Sequence, residues 1–534
     1  MEKTEETVHP SSSSREYLSF GDALFLHLEQ KGIPINIAAV AIMEGAVPMG
    51  DFFPYVEAKL SHVPRCMQRV VPAPFNLGLP RLEHDPDFDF RHHVHERTLR
   101  HGTDAELKTL SGELLSQNLD RAHPLWHLML VHGLKGGRTA LIARIHHSMA
   151  DGISGVAFLN ALMDRNPHGP VPPRKQVTPP RGIPRDPATT LIEAVTSSWF
   201  LTVQRLLSAQ SELLNVARQM VAKPEPHAPL LAETQKHVPS MEELGRIFPE
   251  IATAPERLPF NVVCRGPQMF EWCDVPFEDL RAMKHAAGCS FNDVALAAIA
   301  ATFRRYSEAR GTDVRGRSLR IVVPVNTRPA GTNGEGMGND ITFVPIAVPL
   351  DVRHPRKLVA AVHERMTMIK AAKIAEMVNF AGALIAAIPS PVQVFLGPIA
   401  AQLPLTLCNL IFTNVPGPRE TLYLLGHKLL KAYPYVPIGG EMGVNCAMLT
   451  YSGGAHFGFS CDIHATPDPQ LLPKFLQESV EEMREAFGFK KAPKPRKARK
   501  TRKPAHVAAA KDTRAAELAV ESQPELARAA TAAD

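Results

Sequence analysis

His146-His147-Ser148-Met149-Ala150-Asp151-Gly152, an H-H-x-x-x-D-G pattern, is the stretch of this chain best equipped for chemistry. An apolar run, Ala140-Leu141-Ile142-Ala143-Arg144-Ile145, leads into it, and an apolar helical pattern from Ile153 to Leu162 follows. A base-capable side chain at the end of a buried strand stands on a rigid support. Imidazole, with an ordinary pKa of about 6.5, can take a proton near neutrality and return it. The pattern suggests an enzyme that activates a hydroxyl, an amine or a thiol. Adjacent residues at a strand end point in different directions, so His146 and His147 should divide the work. Asp151 is also a good N-cap and Gly152 eases the turn into the helix, a reading that leaves both histidines unexplained. No third ligand lies within sequence reach, which argues against a metal at the motif.

Other chemistries lack their residues. There is no G-x-S-x-G elbow and no G-x-x-x-x-G-K-[ST] loop. Gly331 to Gly338 contains G-x-G-x-G, but in a glycine- and asparagine-rich loop that opens no helix. His92, His93 and His95 lie near Asp85, Asp87 and Asp89, and the 93/95 spacing predicts two imidazoles on one strand face. Strand and turn chemistry is the preferred reading there, ahead of a metal. What remains is a lone histidine base performing direct transfer.

The elements around the motif alternate between strand and helix patterns. With 534 residues the chain exceeds one hydrophobic core, so two domains are expected. Residues 1–15 read as disordered, and their polar, acidic character is not that of a secretory signal. Residues 16–165 form a mixed α/β pattern, with strands over Ile35 to Met43 and Thr139 to Ile145 and a helix over Asp104 to Asn118. Residues 166–255 join a proline- and arginine-rich linker to a long amphipathic pattern, roughly Thr189 to Lys223. Residues 256–488 form a second mixed domain. Its expected strands are Leu319 to Val325 and Thr342 to Leu350, and its expected helices are Asn292 to Tyr306 and Pro355 to Ala372.

Met377 to Pro418 carries no charge, but four prolines (389, 391, 398 and 404) break every candidate membrane span. Buried core or a lipid-facing surface are the two readings left. The seven cysteines are scattered and never form C-x-x-C, which fits a reducing cytoplasm. Nine Lys/Arg lie between Lys490 and Lys503, so the formal charge of +5 belongs to the tail, and the rest of the chain sums to −4. The proline-spaced basic tail over 489–534 suits an anionic membrane surface. It lacks the interleaved aromatics that stack on bases, so no nucleic-acid partner is expected.

The motif and its surroundings resemble a known group. H-H-x-x-x-D-G after a strand resembles the coenzyme A-dependent acyltransferase superfamily. Further blocks resemble the bacterial wax ester synthase/diacylglycerol acyltransferase family: Leu18-Ser19-Phe20-Gly21-Asp22-Ala23-Leu24-Phe25-Leu26, then Leu119-Asp120-Arg121 with Pro124-Leu125-Trp126. In the second half the blocks are Asn292-Asp293-Val294, Asn414-Val415-Pro416-Gly417-Pro418, and Tyr451-Ser452-Gly453-Gly454. The resemblance covers about 16–164 and 256–488, in order.

It implies two chloramphenicol acetyltransferase-like domains of α/β class with the reaction centre in a tunnel between them. It implies His147 as general base, His146 as its support, and Asp151 with Gly152 as structural support of the motif. Arg121 and Arg144 are the candidate ion-pair partners of Asp151. Asn292, Asp293, Asn414, Pro416 and Gly417 are candidates for shaping the substrate site, with helix capping the alternative for Asn292 and Asp293. The implied substrates are acyl-CoA, with no other cofactor, and diacylglycerol or a fatty alcohol. The implied location is cytoplasmic, at the membrane or at lipid inclusions. Two other readings stand beside this one: the same fold acting on a polyketide diol or a carrier-bound acyl donor, and a lipid-surface binding protein without turnover.

Overall fold

The strand that ends at His146 is packed on both faces. This strand, β7 (Arg138–His146), is buried from Thr139 to its end, and it pairs antiparallel with β2 (Asn36–Met43) so that Asn36 faces His146 and Val40 faces Ile142. Alternate residues then supply two separate cores. Ala41, Met43, Leu141, Ala143 and Ile145 enter one, while Val40, Ile42, Ala140 and Ile142 enter the other. A strand covered on both faces reads as a continuous apolar run, which is how the stretch from Ala140 to Ile145 appears in sequence.

The computed structural model describes residues 16–73, 79–149, 155–175, 253–326, 341–371, 388, 392 and 408–489. Asp151, Gly152, the amphipathic pattern over 189–223, the glycine loop at 331–338, most of the charge-free stretch and the basic tail from 490 onward lie outside them. Every described residue belongs to the unit that spans 1–490.

In chain order the first half contains β1 (Glu16–Tyr17), α1 (Phe20–Leu28), β2 (Asn36–Met43), α2 (Met49–Leu60), β3 (Gln68–Val71) and β4 (Arg81–His84). Then come β5 (Val94–Thr98), α3 (Asp104–Leu115), β6 (Trp126–Leu134), β7 (Arg138–His146) and α4 (Gly155–Leu162). The second half contains β8 (Gln268–Pro276), α5 (Phe277–Ala287), α6 (Phe291–Ala309), β9 (Ser318–Asn326), β10 (Ile341–Pro349) and α7 (Pro355–Ala371). It continues with β11 (Leu410–Pro416), β12 (Tyr423–Leu424), β13 (His427–Tyr435), β14 (Val444–Tyr451), β15 (Gly454–Asp462) and α8 (Leu471–Ala486). The strands and helices expected from periodicity in both halves are present, with ends shifted by a few residues.

Two six-stranded mixed sheets organise these elements, one ordered β12-β13-β2-β7-β6-β5 and the other β10-β9-β11-β14-β15-β8. The first sheet therefore takes two strands from the second half of the chain. β13 pairs antiparallel with β2, from Leu429 opposite Met43 to Tyr435 opposite Ala38. The packing repeats this exchange. Phe270, Trp272, Tyr433 and Tyr435 share a core with α3 and β7, while Leu449 and Tyr451 of β14 share one with Trp126 and Ile145. The second sheet is covered by α6, where Val294 to Ala300 are at most 1% exposed. Among the described residues no single helix is long and apolar enough to cross a membrane. α5 and α6 meet such a test only together, across a 108° bend, and α6 is a core helix.

Candidate active site

Backbone hydrogen bonds place the two histidines. The His146 N–H donates to the Leu125 carbonyl (2.8 Å) and the His147 N–H to the Ile35 carbonyl (2.9 Å), so neighbouring strands grip successive residues. Leu125 belongs to the Pro-Leu-Trp block, whose Trp126 is 1% exposed and donates from Nε1 to the Cys66 carbonyl (2.7 Å). That block acts as packing and as an anchor for the motif. Beyond His146 the chain makes a short 3-10 turn, His147–Met149.

α1 covers both imidazoles. Ser19 caps it, accepting from the Asp22 N–H (3.1 Å) and donating to the Asp22 carboxylate (2.6 Å), which explains the S-x-x-D spacing of the opening block. From that start Phe25 and Glu29 fall four residues apart, on one face. The Phe25 ring stacks on His147 at 3.8 Å between centroids. Glu29 Oε1 stands 3.5 Å from His146 Nε2, and Glu29 Oε2 accepts from Arg121 (2.8 Å). Burial pushes the Glu29 carboxyl up, but His146 and then Arg121 outweigh it and hold the group at about 2.

The hydrogen bonds assign different roles to the two rings. The Ser148 N–H donates to His146 Nδ1 (3.1 Å), with Ser148 Oγ 2.7 Å from the same nitrogen. Nδ1 must therefore be the lone-pair nitrogen, and the ring proton sits on Nε2, facing Glu29. His146 is committed to structure and has no free lone pair. His147 carries no such commitment. Its Nδ1 is buried and has no hydrogen-bond partner among the described residues, and burial pushes its pKa down to about 4. Its own backbone carbonyl opposes that shift, and His146 adds to it. The ring is neutral at pH 7, with Nε2 left to meet a substrate.

Asn36, opposite His146 on β2, is 0% exposed, and neither end of its amide has a partner. Glu29 Oε1 and His146 Nε2 are likewise buried without a well-formed bond. Buried polar atoms are rarely left so, and five of them gather around the two histidines: Glu29 Oε1, both ends of the Asn36 amide, His146 Nε2 and His147 Nδ1.

The candidate residues of the second half form a separate group. Asn414 Nδ2 donates to Asn292 Oδ1 (2.5 Å), joining β11 to the first turn of α6. Asp293 is a capping residue. It closes a capping box with Ser290, accepting the Ser290 N–H at 2.8 Å, and its Oδ2 lies 2.7 Å from His363 Nδ1 of α7. Pro416 is exposed at the end of β11. Gly417 passes so close to β14 that a Cβ there would stand 2.1 Å from the Thr450 carbonyl oxygen, which accounts for the glycine by sterics. Among the described residues no hydrogen bond links this group to the histidines. The connection is apolar: Val415, beside Asn414, packs against the cluster that holds Ile145 and Met149.

Arg121 and Arg144 are engaged elsewhere than at a described acid of the motif. Arg121 bonds Glu29 and the Leu26 carbonyl (2.7 Å); Arg144, 5% exposed, donates to the carbonyls of Leu114 and Gln117. The two imidazoles expected on one strand face are separated instead. His93 precedes β5 and is buried in a stack on Trp126 (4.4 Å), while His95 is exposed beside His127. The strand begins one residue later than the alternation required. Among the described residues no group of three or more His, Cys, Asp or Glu could hold a metal ion.

Glu29, Asn36 and the stacking partner Phe25 were not singled out by sequence. The available signals were an acidic residue closing an apolar helix and a lone asparagine opening an apolar strand.

Comparison with known proteins agrees with this geometry. The family pattern described as "Wax ester synthase/diacylglycerol acyltransferase catalytic domain" matches residues 18–295, and the "WS/DGAT C-terminal domain" pattern matches 337–484. A probable diacylglycerol O-acyltransferase, tgs1, of Mycobacterium tuberculosis is 28% identical over 471 residues, covering 87% of this chain and 95% of that protein. A putative diacylglycerol O-acyltransferase of Mycobacterium bovis, Mb0919, is 28% identical over 478 residues, with 87% and 90% covered. Among solved structures, the wax ester synthase/diacylglycerol acyltransferase from Marinobacter aquaeolei VT8 shares the fold with a TM-score of 0.57 at 22% identity, covering 89% of this chain and 100% of that one. The first condensation domain of the calcium-dependent antibiotic synthetase does so with a TM-score of 0.51 at 14% identity, covering 89% and 97%.

Proposed function

Because the chain belongs to the wax ester synthase/diacylglycerol acyltransferase family, we propose that it is an acyl-CoA-dependent O-acyltransferase making neutral lipid. It transfers a long acyl chain to diacylglycerol, to a long-chain alcohol, or to both. The mycobacterial relatives are named as diacylglycerol O-acyltransferases, which favours diacylglycerol. The observation that carries the reading is the neutral, uncommitted His147 ring at the end of β7, stacked on Phe25 beside a His146 that is already committed.

His147 Nε2 takes the proton of the acceptor hydroxyl as its oxygen attacks the thioester carbonyl. The tetrahedral intermediate collapses with cleavage of the carbon–sulfur bond. The imidazolium then returns the proton to the departing thiolate, leaving an ester and free coenzyme A. No acyl-enzyme is required. Phe25 holds the ring plane, and the Glu29–His146 pair holds the backbone turn from which it projects. In this reading Asp151 and Gly152 support the motif, and Asn292 with Asn414 shapes the substrate passage from the other half. An apolar passage discriminates weakly between chain lengths, at roughly 1–3 kcal/mol per methylene at most, so broad acyl specificity is expected. Both substrates partition into lipid, which places the enzyme at the cytoplasmic face of a membrane or at lipid inclusions.

The test is release of coenzyme A from palmitoyl-CoA across a panel of acceptors, for the wild type and His147→Ala. The variant should lose turnover by about 100- to 10,000-fold while keeping its thermal transition. Near-wild-type turnover would remove His147 from the chemistry, and acceptor-independent release would remove the transferase.

A further inference from the structure

Among the described residues six large apolar side chains stand open to water: Val171, Val262, Val263, Phe343, Val392 and Ile463. Three of the six, Val262, Val263 and Ile463, occupy two adjoining loops. The first loop is fixed on both sides of its valines. Buried Asn261 donates to the Asn409 carbonyl (2.8 Å), and the Cys264 N–H donates to the Gly440 carbonyl (2.8 Å). The buried Asp462 carboxylate then ties the loops together. It accepts from the Arg265 N–H (2.8 Å) and Gly266 N–H (2.6 Å) on one side and from the His464 N–H (2.8 Å) on the other. The Ile463 N–H donates across to the Pro267 carbonyl (3.2 Å). A hydrogen-bonded frame therefore holds aliphatic side chains out in water, an arrangement folding does not require and a contact surface does.

The surrounding charge is positive. Arg265 is exposed, and among the described residues its side chain makes no ion pair. The loop between α1 and β2 lies against it: a Cβ on Gly266 would stand 2.8 Å from the Gly32 carbonyl oxygen. This brings exposed Lys31, which has no ion pair among the described residues, near the same loop. Of the nearby acids, Glu441 pairs with Arg257, and the buried Asp462 carboxylate is engaged by backbone N–H groups. The two ends of the Lys31 loop are also the groups that hold the histidines, Glu29 and the Ile35 carbonyl.

We propose that Val262, Val263 and Ile463, flanked by Lys31 and Arg265, form the face that docks on a lipid surface carrying anionic headgroups. Aliphatic tips between unpaired cations suit the acyl–headgroup boundary, whereas a protein partner would call for aromatic anchors. The inference rests on the reading that the substrates are lipids, but vesicle binding measures it without turnover.

The full chain is floated with phosphatidylcholine vesicles with and without phosphatidylglycerol. V262D/V263D should lower partition onto the phosphatidylglycerol vesicles at least about tenfold, since each valine loses most of its transfer free energy. K31E/R265E, entirely at the surface, should abolish the preference for phosphatidylglycerol. Both variants should keep wild-type turnover on an acceptor dispersed in detergent micelles. Undiminished vesicle binding by either variant, or no binding by the wild type, overturns the proposal. Absence of acyl transfer with vesicle binding intact would instead overturn the catalytic reading alone.

Discussion

Among the described residues two histidine–carboxylate pairs have a buried imidazole, and they are wired differently. His456, 3% exposed, points Nδ1 at Asp274 Oδ1 (2.7 Å) and Nε2 at the Tyr451 carbonyl (3.2 Å). Both partners are acceptors, so only a ring with a proton on each nitrogen satisfies them. Asp274 also receives Lys431 (2.5 Å) and the Tyr433 hydroxyl (3.2 Å), both on β13 where it leaves its own half for the first sheet. That pair is closed, and it clamps the crossing strand. The Glu29–His146 pair is open: its facing atoms stand 3.5 Å apart, and Asn36 beside them is unpaired. In both pairs burial raises the carboxyl and the hydrogen-bonding neighbours overcome it, leaving each at about 2. Equal carboxylate shifts therefore do not identify the active site. The distinguishing feature is which network leaves polar atoms uncommitted next to a neutral base.

The comparison breaks first, and by the largest margin, at Glu29. Glu29→Gln keeps the shape but removes the charge facing Nε2 of His146, so kcat should fall about 10- to 100-fold with KM for acyl-CoA little changed. An unchanged kcat with only a lower melting temperature would make this pair a second clamp. Asp274→Asn should do the reverse. Leaving His456 Nδ1 with a weaker acceptor should cost about 1–3 kcal/mol of stability, with kcat/KM close to wild type. The sign of the pH dependence follows from the depressed carboxyls. Their stabilisation is complete above the unfolded carboxylate range, near pH 4 to 4.5, and is lost as pH falls through about 2. Acid unfolding between pH 4.5 and 2 should therefore be shallower in either variant than in the wild type.

The open pair shows how far the sequence could be read. The motif, its strand and the helices flanking it are local patterns, and β7, α3 and α6 appear close to where periodicity puts them. Helix capping, the alternative reading for Asn292 and Asp293, is what Asp293 does in its box with Ser290. Periodicity reports which face of an element is buried but not which element lies across from it. Glu29 under His146 and Asn414 against Asn292 are tertiary pairings, as is β13 inside the first sheet, and neither segment of a pair names the other. The His93/His95 expectation failed for a related reason. Alternation was counted from a residue that is still in the preceding turn.

The finest test concerns what sets the proton on His146. Two Ser148 groups meet Nδ1, the backbone N–H at 3.1 Å and Oγ at 2.7 Å. Only the amide is obliged to donate, since a hydroxyl can rotate to donate or accept. If the amide fixes the tautomer, Ser148→Ala leaves Nε2–H facing Glu29. The loss should then be that of one neutral hydrogen bond, about 1 kcal/mol of stability, with kcat lowered less than about threefold. A loss of tenfold or more in kcat, without a matching drop in melting temperature, would show that the hydroxyl holds the proton arrangement. The ring could then exchange tautomers during turnover, and the open pair would take part in moving the proton instead of only positioning the turn that presents His147.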